Sequence, residues 1–308
     1  MNRLTMVFRV GTLGAVLVWA PAVLAQSRVF ASARSGSDAN ACNNILTPCP
    51  TFQGAVNQVA AGGTVIVLDS GGYGPINITK ALTIDAPPGI VAFIHPPSGN
   101  AITINAGAGD SVALRGIALN VGSGNGIVVN TVGVLYVENC TIDGFASSGL
   151  AFGSAGQLFV KDTTAADNGG AGFLIAPSAG TALASIDRCR VERNGGPAET
   201  GGITAGSGVN ITIRDSVAAA NFRGFQAGTG SGQTVQMNVE RCVSTGNVVG
   251  VFAADGAATV ARVSDTTITN NTLFGMEAQG SGAIFSRVNN TVEGNAGGQV
   301  FSGSFPAR

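Results

Sequence analysis

Histidine, lysine and aromatic residues are scarce in this chain. Its 308 residues include one histidine, one tryptophan and two tyrosines, charged residues make up 11%, and the formal net charge is -1. With two lysines and no positive excess, there is no basic stripe to neutralise phosphates, which excludes nucleic acid as a partner. The lone His95 stands in Phe93-Ile94-His95-Pro96-Pro97 with no second ligand near it in sequence. A turn or surface role therefore outweighs a general base or metal ligand. No serine has a histidine partner in a recognisable motif. Beyond the N-terminal leader, no segment approaches eighteen uninterrupted apolar residues, so no transmembrane helix is expected.

The leader carries Arg3 and Arg9, an apolar run from Val10 to Ala20, Pro21, and the small-residue site Val23-Leu24-Ala25. It reads as a secretory signal cleaved after Ala25. The expected product is one soluble domain, 26–308, secreted or periplasmic, with an N-terminal strand and cap over 28–62 and coils over 63–308. Cys42 and Cys49 lie in a proline-containing loop, and export makes a disulfide between them the expected state. Cys140, Cys189 and Cys242 share one column of a repeat, with a coil carrying Thr163 or Ser216 between successive members. Coils stack at roughly 4.8 Å, which puts these sulfurs about 9.6 Å apart, beyond disulfide reach. They are read as small buried hydrophobes rather than metal ligands or reactive thiols.

What the chain has in quantity is glycine, 46 residues, and a repeat of twenty-three to twenty-seven residues. One column runs Ile117, Cys140, Thr163, Cys189, Ser216, Cys242, Thr266, Thr291. Three places before each stands Leu114, Val137, Val160, Ile186, Ile213, Val239, Val263 or Val288. Asn168, Asn194, Asn221, Asn247 and Asn271 follow five places after their column residues. A glycine then opens the next strand at Gly126, Gly149, Gly172, Gly202, Gly224, Gly250, Gly275 and Gly298. Units of this length cannot bury an apolar face alone, and short strands with glycine-rich corners and no helical period indicate an all-β parallel solenoid. The asparagines are expected at left-handed corners, bonding to the next coil.

Charge supports the same stacking. Two places before the column the residues read Arg115, Glu138, Lys161, Asp187, Arg214, Glu240, and the next position reads Asp162, Arg188, Asp215, Arg241, Asp265. The sign flips at every coil, so neighbours in register pair. Most of the charge is thereby assigned to the scaffold. Ahead of the coils, Thr51 to Val59 places apolar residues at helical spacing, a short helix expected to cover the open first coil.

The segments Ser37-Asp38-Ala39-Asn40-Ala41-Cys42, Pro48-Cys49-Pro50-Thr51-Phe52, Ala61 to Leu68, Gly72-Tyr73-Gly74 and Ile78 to Asp85, together with the coils, resemble the secreted pectate-lyase-like superfamily. The resemblance covers nearly all of the chain after the leader and is closest to exported bacterial members without an established activity. It implies a right-handed, single-stranded parallel β-helix with a short N-terminal capping helix. The marks of the superfamily's enzymes do not occur. There is no calcium-binding Asp cluster of pectate lyases, no Gly-His-Gly or Arg-Ile-Lys of polygalacturonases, and no Asp-Pro-His-Asp of alginate epimerases. Calcium therefore has no supporting motif, and no cofactor is expected.

Function is sought where the repeat breaks its length. Cys189 to Gly202 takes thirteen residues, and the excess is Gly195-Gly196-Pro197-Ala198-Glu199-Thr200-Gly201. Insertions in solenoids map to surface loops that often bind. Around it lie Asp167, Asn168, Arg190, Glu192, Arg193, Asn194, Glu199 and Arg223, the candidate ligand-binding residues. Arginine fits a carboxylate bidentately, so an acidic polysaccharide is the natural partner. The competing account is an internally paired, solvated corner. Phe145, Phe173 and Phe225 are expected inside, no aromatic strip for stacking sugars is evident, and the face after each glycine is expected to expose Thr204, Gln226 and Phe252. Three functions stay open: a non-catalytic binder of polysaccharide or a surface component, a lyase, hydrolase or epimerase on an acidic polysaccharide, and a structural envelope or adhesin part.

Overall fold

The chain winds through three parallel sheets. The computed structural model describes residues 26–196, 201–228, 234–254, 256 and 258–305; the leader 1–25 and Glu199 lie outside these. Among the described residues the first sheet has twelve strands, from β1 (Gln26–Ala31) and β2 (Val59–Val67) to Gly303–Ser304. The second has nine, from Ile76–Ile78 to Phe274–Ala278, and the third ten, from Gly71–Gly72 to Thr291–Glu293. One helix, α1 (Phe52–Gln58), precedes β2. No described helix is long and apolar enough to cross a membrane.

The aliphatic column stacks in register from Leu114 through Val137, Val160, Ile186, Ile213 and Val239 to Val263. Each is at most 1% exposed. Burying a side chain of this size contributes about 1.5–3 kcal/mol, and a parallel stack places one at every coil. Phe145, Phe173 and Phe225 are interior as expected. The pattern slips in the last coil. Ser286, not Val288, stands opposite Val263, and Asn290, not Thr291, occupies the column, where its Oδ1 accepts from Thr266 N at 2.9 Å. An extra residue there turns Val288 outward, 76% exposed at φ 68°.

The asparagines form a continuous amide ladder. Asn168, Asn194, Asn221, Asn247 and Asn271 each donate through Nδ2 to Oδ1 of the next, ending on Asn295, at 2.8–3.1 Å. Each Oδ1 also accepts the main-chain N–H of the preceding asparagine. The left-handed residue is one place earlier than the sequence suggests: Asp167, Arg193, Ala220, Gly246, Asn270 and Gly294. A second left-handed corner, φ 47–53°, falls on Asn139, Asp162, Arg188, Asp215, Arg241 and Asp265. These residues turn the chain, which leaves the ladder asparagines free to point inward and satisfy buried backbone groups.

In the mixed column, thiols and hydroxyls do similar work. Thr163, Ser216 and Thr266 donate to the carbonyl two residues back, and so do Cys140, Cys189 and Cys242. All three cysteines are free and buried, and burial pushes the Cys189 thiol up to about 12 and those of Cys140 and Cys242 up to about 11. Because the thiolate is the reactive form, none should react with a thiol reagent in the native protein. All three should react after denaturation. Native labelling within minutes would contradict that burial.

At the N-terminal end, Thr51 caps α1 by accepting from Gly54 N at 3.0 Å. Phe52 is buried and stacks on Tyr73 with ring centres 4.6 Å apart. Cys42 and Cys49 form the expected disulfide. Tyr73 Oη donates to Asp69 Oδ1 at 2.7 Å, and Ala33 N donates to the same oxygen. These elements brace β1 against β2.

Candidate functional site

The structure separates the predicted residues into two groups. Asn168 and Asn194 are 2% and 1% exposed, so they belong to the interior ladder and do not line a surface. Arg223 lies on the second sheet with its guanidinium 3.6 Å from the centre of the Phe252 ring. Thr204, Gln226 and Phe252, expected at the surface, are likewise buried. Gly201 N donates to Thr204 Oγ1 and Gln226 Nε2 to Gly228 O, an arrangement that carries no sequence period.

Asp167, Arg190, Glu192 and Arg193 do come together at one corner of the third sheet. Arg193 grips Asp167 bidentately, Nε to Oδ1 and Nη2 to Oδ2, both at 2.7 Å. Its Nη1 reaches Glu192 at 3.2 Å, and Arg190 pairs with the same carboxylate. This is one more inter-coil charge staple beside the Arg115–Glu138, Asp162–Arg188 and Asp215–Arg241 pairs. The sequence reading missed Asp143, the residue in register with Ala166 and so directly beside Asp167. Burial, and then the Asp167 charge, push the Asp143 carboxyl above its usual range, whereas hydrogen bonds from Arg193 hold Asp167 below it.

The depressed Asp167 sets a pH dependence. Its ionised form favours the folded state, so its contribution is present above the ordinary carboxylate pKa of about 3.9 and is lost as pH falls through the lower folded value. Asp167→Asn should melt earlier than wild type at neutral pH, and the two melting curves should converge at about pH 2. A gap that persists in acid would mean that the ion pair contributes nothing.

A different surface is concave. Along the outer face of the first sheet, the residue just before each aliphatic column member is Tyr136, Phe159, Ser185, Thr212, Asn238 or Arg262, in register from coil to coil. Beside them run Gln157, Leu183, Asn210 and Gln236. From Phe159 to Arg262 these residues line a groove of about 600 Å³ that spans several coils. Tyr136 and Phe159 stack at 5.1 Å with planes 13° apart just where the groove begins. The sequence reading did not pick out this pair, whose signal was available as the position preceding the aliphatic column.

Arg262 donates to Gln236 at 2.7 Å and adjoins a second hollow of about 270 Å³ with Glu240, Ser264 and Arg287. Arg287 lies 5.3 Å from the Phe305 ring centre. Among the described residues neither Arg262 nor Arg287 forms an ion pair, whereas Glu240 is held by Arg241 at 3.1 Å. No described group of three or more His, Cys, Asp or Glu is placed to hold a metal ion. His95 sits at the surface with Nδ1 3.1 Å from Asn120 O.

Known structures place the fold. Pectate lyase Pel9A aligns over 92% of this chain and 79% of its own at 16% identity and a TM-score of 0.63. Alginate lyase from Paenibacillus sp. str. FPU-7 aligns over 89% and 98% at 13% identity and 0.65. The complex of XylC with xylose aligns over 86% and 70% at 10% identity and 0.65. At such identities the likeness is one of fold. No curated protein matches the sequence. The family described as the right handed beta helix region matches residues 125–297, more than half of the chain, and the parallel coils, amide ladder and buried columns agree with it: the chain belongs to that family.

Proposed function

We propose that this is an exported β-helix protein that holds a polysaccharide along the outer face of its first sheet without cleaving it. The groove from Phe159 to Arg262 carries the reading. It runs along the stacking axis, so its floor offers a new hydroxyl or amide every 4.8 Å or so, a spacing suited to an extended sugar chain. The Tyr136–Phe159 platform supplies apolar ring faces at one end. At the other, Arg262 and Arg287 favour a sugar carboxylate, which arginine engages through paired hydrogen bonds. The leader, the Cys42–Cys49 disulfide and the fold shared with polysaccharide lyases support export and a carbohydrate partner; α1 would close the first coil against edge pairing.

The test is a binding screen over pectate, alginate, hyaluronan and neutral glycans. Replacing both Tyr136 and Phe159 with Ala should weaken binding about tenfold, since each ring contact contributes about 0.5–1.5 kcal/mol. Arg193→Ala should leave it unchanged. Loss of binding in Arg193→Ala alone would transfer the site to the third-sheet corner, and no binding to any glycan would overturn the proposal.

One observation favours a catalytic reading. Asp143 and Asp167 are adjacent carboxyls whose environments push their pKa values apart, the arrangement that separates acid from base roles. Product release from any of these polymers, abolished by Asp143→Asn, would replace binding with turnover at that corner.

A further inference from the structure

Cleavage after Ala25 would make Gln26 the first residue of the exported chain, and Gln26 is also the first residue of β1. We propose that Gln26 is a modification site: after export its α-amine closes on its own side-chain amide to give an N-terminal pyroglutamyl residue. This rests on the export reading above. In the step the amine nitrogen attacks Cδ, the N–Cδ bond forms and the Cδ–Nε2 bond breaks. Nε2 departs as ammonia with the proton lost by the amine. No oxidant or co-reactant is consumed.

Three features of the strand favour it. The first is the place of Gln26 in the sheet. It stands opposite Val59, and the register shifts between it and Arg28, so the terminal residue is set apart from the regular run that begins at Arg28–Thr64. Ring closure there disturbs no ladder further along β1. The second is the amine itself: the ordinary pKa of an α-amino group, about 7.7–8.0, leaves part of it unprotonated near neutrality, and the neutral amine is the nucleophile. The lactam removes the charge for good while keeping one N–H. The third is the side-chain oxygen: Gln26 Oε1 is buried with no hydrogen-bond partner, so the open amide gains little from its present place.

The consequence is a blocked first strand. The strand that closes one end of the first sheet would carry no free amine, and an aminopeptidase would have no terminus to engage.

The experiment is intact-mass and N-terminal peptide analysis of the protein collected after export. The expected species is 26–308 lighter by one ammonia and closed to Edman sequencing. The Gln26→Ala variant should keep its full mass and sequence normally from residue 26. A wild-type chain that starts at Gln26 with a free amine, and retains it through prolonged incubation at neutral pH, overturns the inference but leaves export standing. A chain that retains its leader, or begins at another residue, overturns the cleavage after Ala25 and the inference with it.

Discussion

Gly250→Val is expected to abolish the folding of the coils around it. A Cβ built at Gly250 would meet Gly275 O at 2.5 Å, Ile268 Cγ2 at 2.7 Å and Asn271 Nδ2 at 2.8 Å. The first contact is main chain of the next coil, held by the parallel ladder, and cannot yield alone. The others are a buried aliphatic and a rung of the amide ladder. Overpacking typically costs about 1–3 kcal/mol, and here it combines with the loss of buried hydrogen bonds, so a total above about 4 kcal/mol is expected. The same column supplies its control. Nothing lies within 4 Å of a Cβ at Gly298, and Gly298→Val should unfold within about 0.5 kcal/mol of wild type. Urea unfolding followed by circular dichroism measures both; equal stability of Gly250→Val and wild type would mean the coils can part at no cost.

Asn221→Leu should be nearly as damaging for a different reason. Asn221 Oδ1 accepts from Asn194 N at 2.9 Å and Asn194 Nδ2 at 3.1 Å, and its Nδ2 donates to Val191 O and Asn247 Oδ1. Leucine conserves volume and removes all four bonds. Buried groups left unpaired cost about 1–3 kcal/mol each, and relaxation around the site keeps the sum at roughly 3–5 kcal/mol. Because each coil contacts only its neighbours, the loss should be local. Hydrogen exchange should quicken first in strands Arg190–Glu192, Val217–Ala219 and Val243–Thr245, which flank the rung. Uniformly faster exchange over the whole chain would show that the coils unfold as one unit.

The columns explain why the fold was readable and the site was not. Leu114 to Val263 and Asn168 to Asn271 repeat because parallel stacking demands the same shape at every level, and a demand made at every coil leaves a period in the sequence. Val288 and Thr291 misled because one inserted residue in the last coil preserves the letter pattern while shifting the register. Glycines, asparagines and charges announce themselves by recurring at fixed places in successive coils. The groove does not, because Phe159, Ser185, Thr212, Asn238 and Arg262 differ from one another, as residues facing solvent or ligand are free to do. Only their fixed place before the aliphatic column unites them. Arg223 was placed at the corner by sequence proximity, but a strand's side chains alternate between faces, and its guanidinium ends on Phe252.

The alternation of sign along the coils bears on how such a chain can change length. Glu138 faces Arg115 on one side and Lys161 on the other, and Asp187 faces Lys161 and Arg214. Thiol and hydroxyl alternate in the same rhythm, from Cys140 to Thr163 to Cys189. Loss of one coil would set Glu138 against Asp187, acid on acid, whereas loss of two would set it against Arg214 and restore attraction. In charge terms the repeating module is therefore a pair of coils, and lengthening or shortening this protein in even steps keeps opposite charges paired.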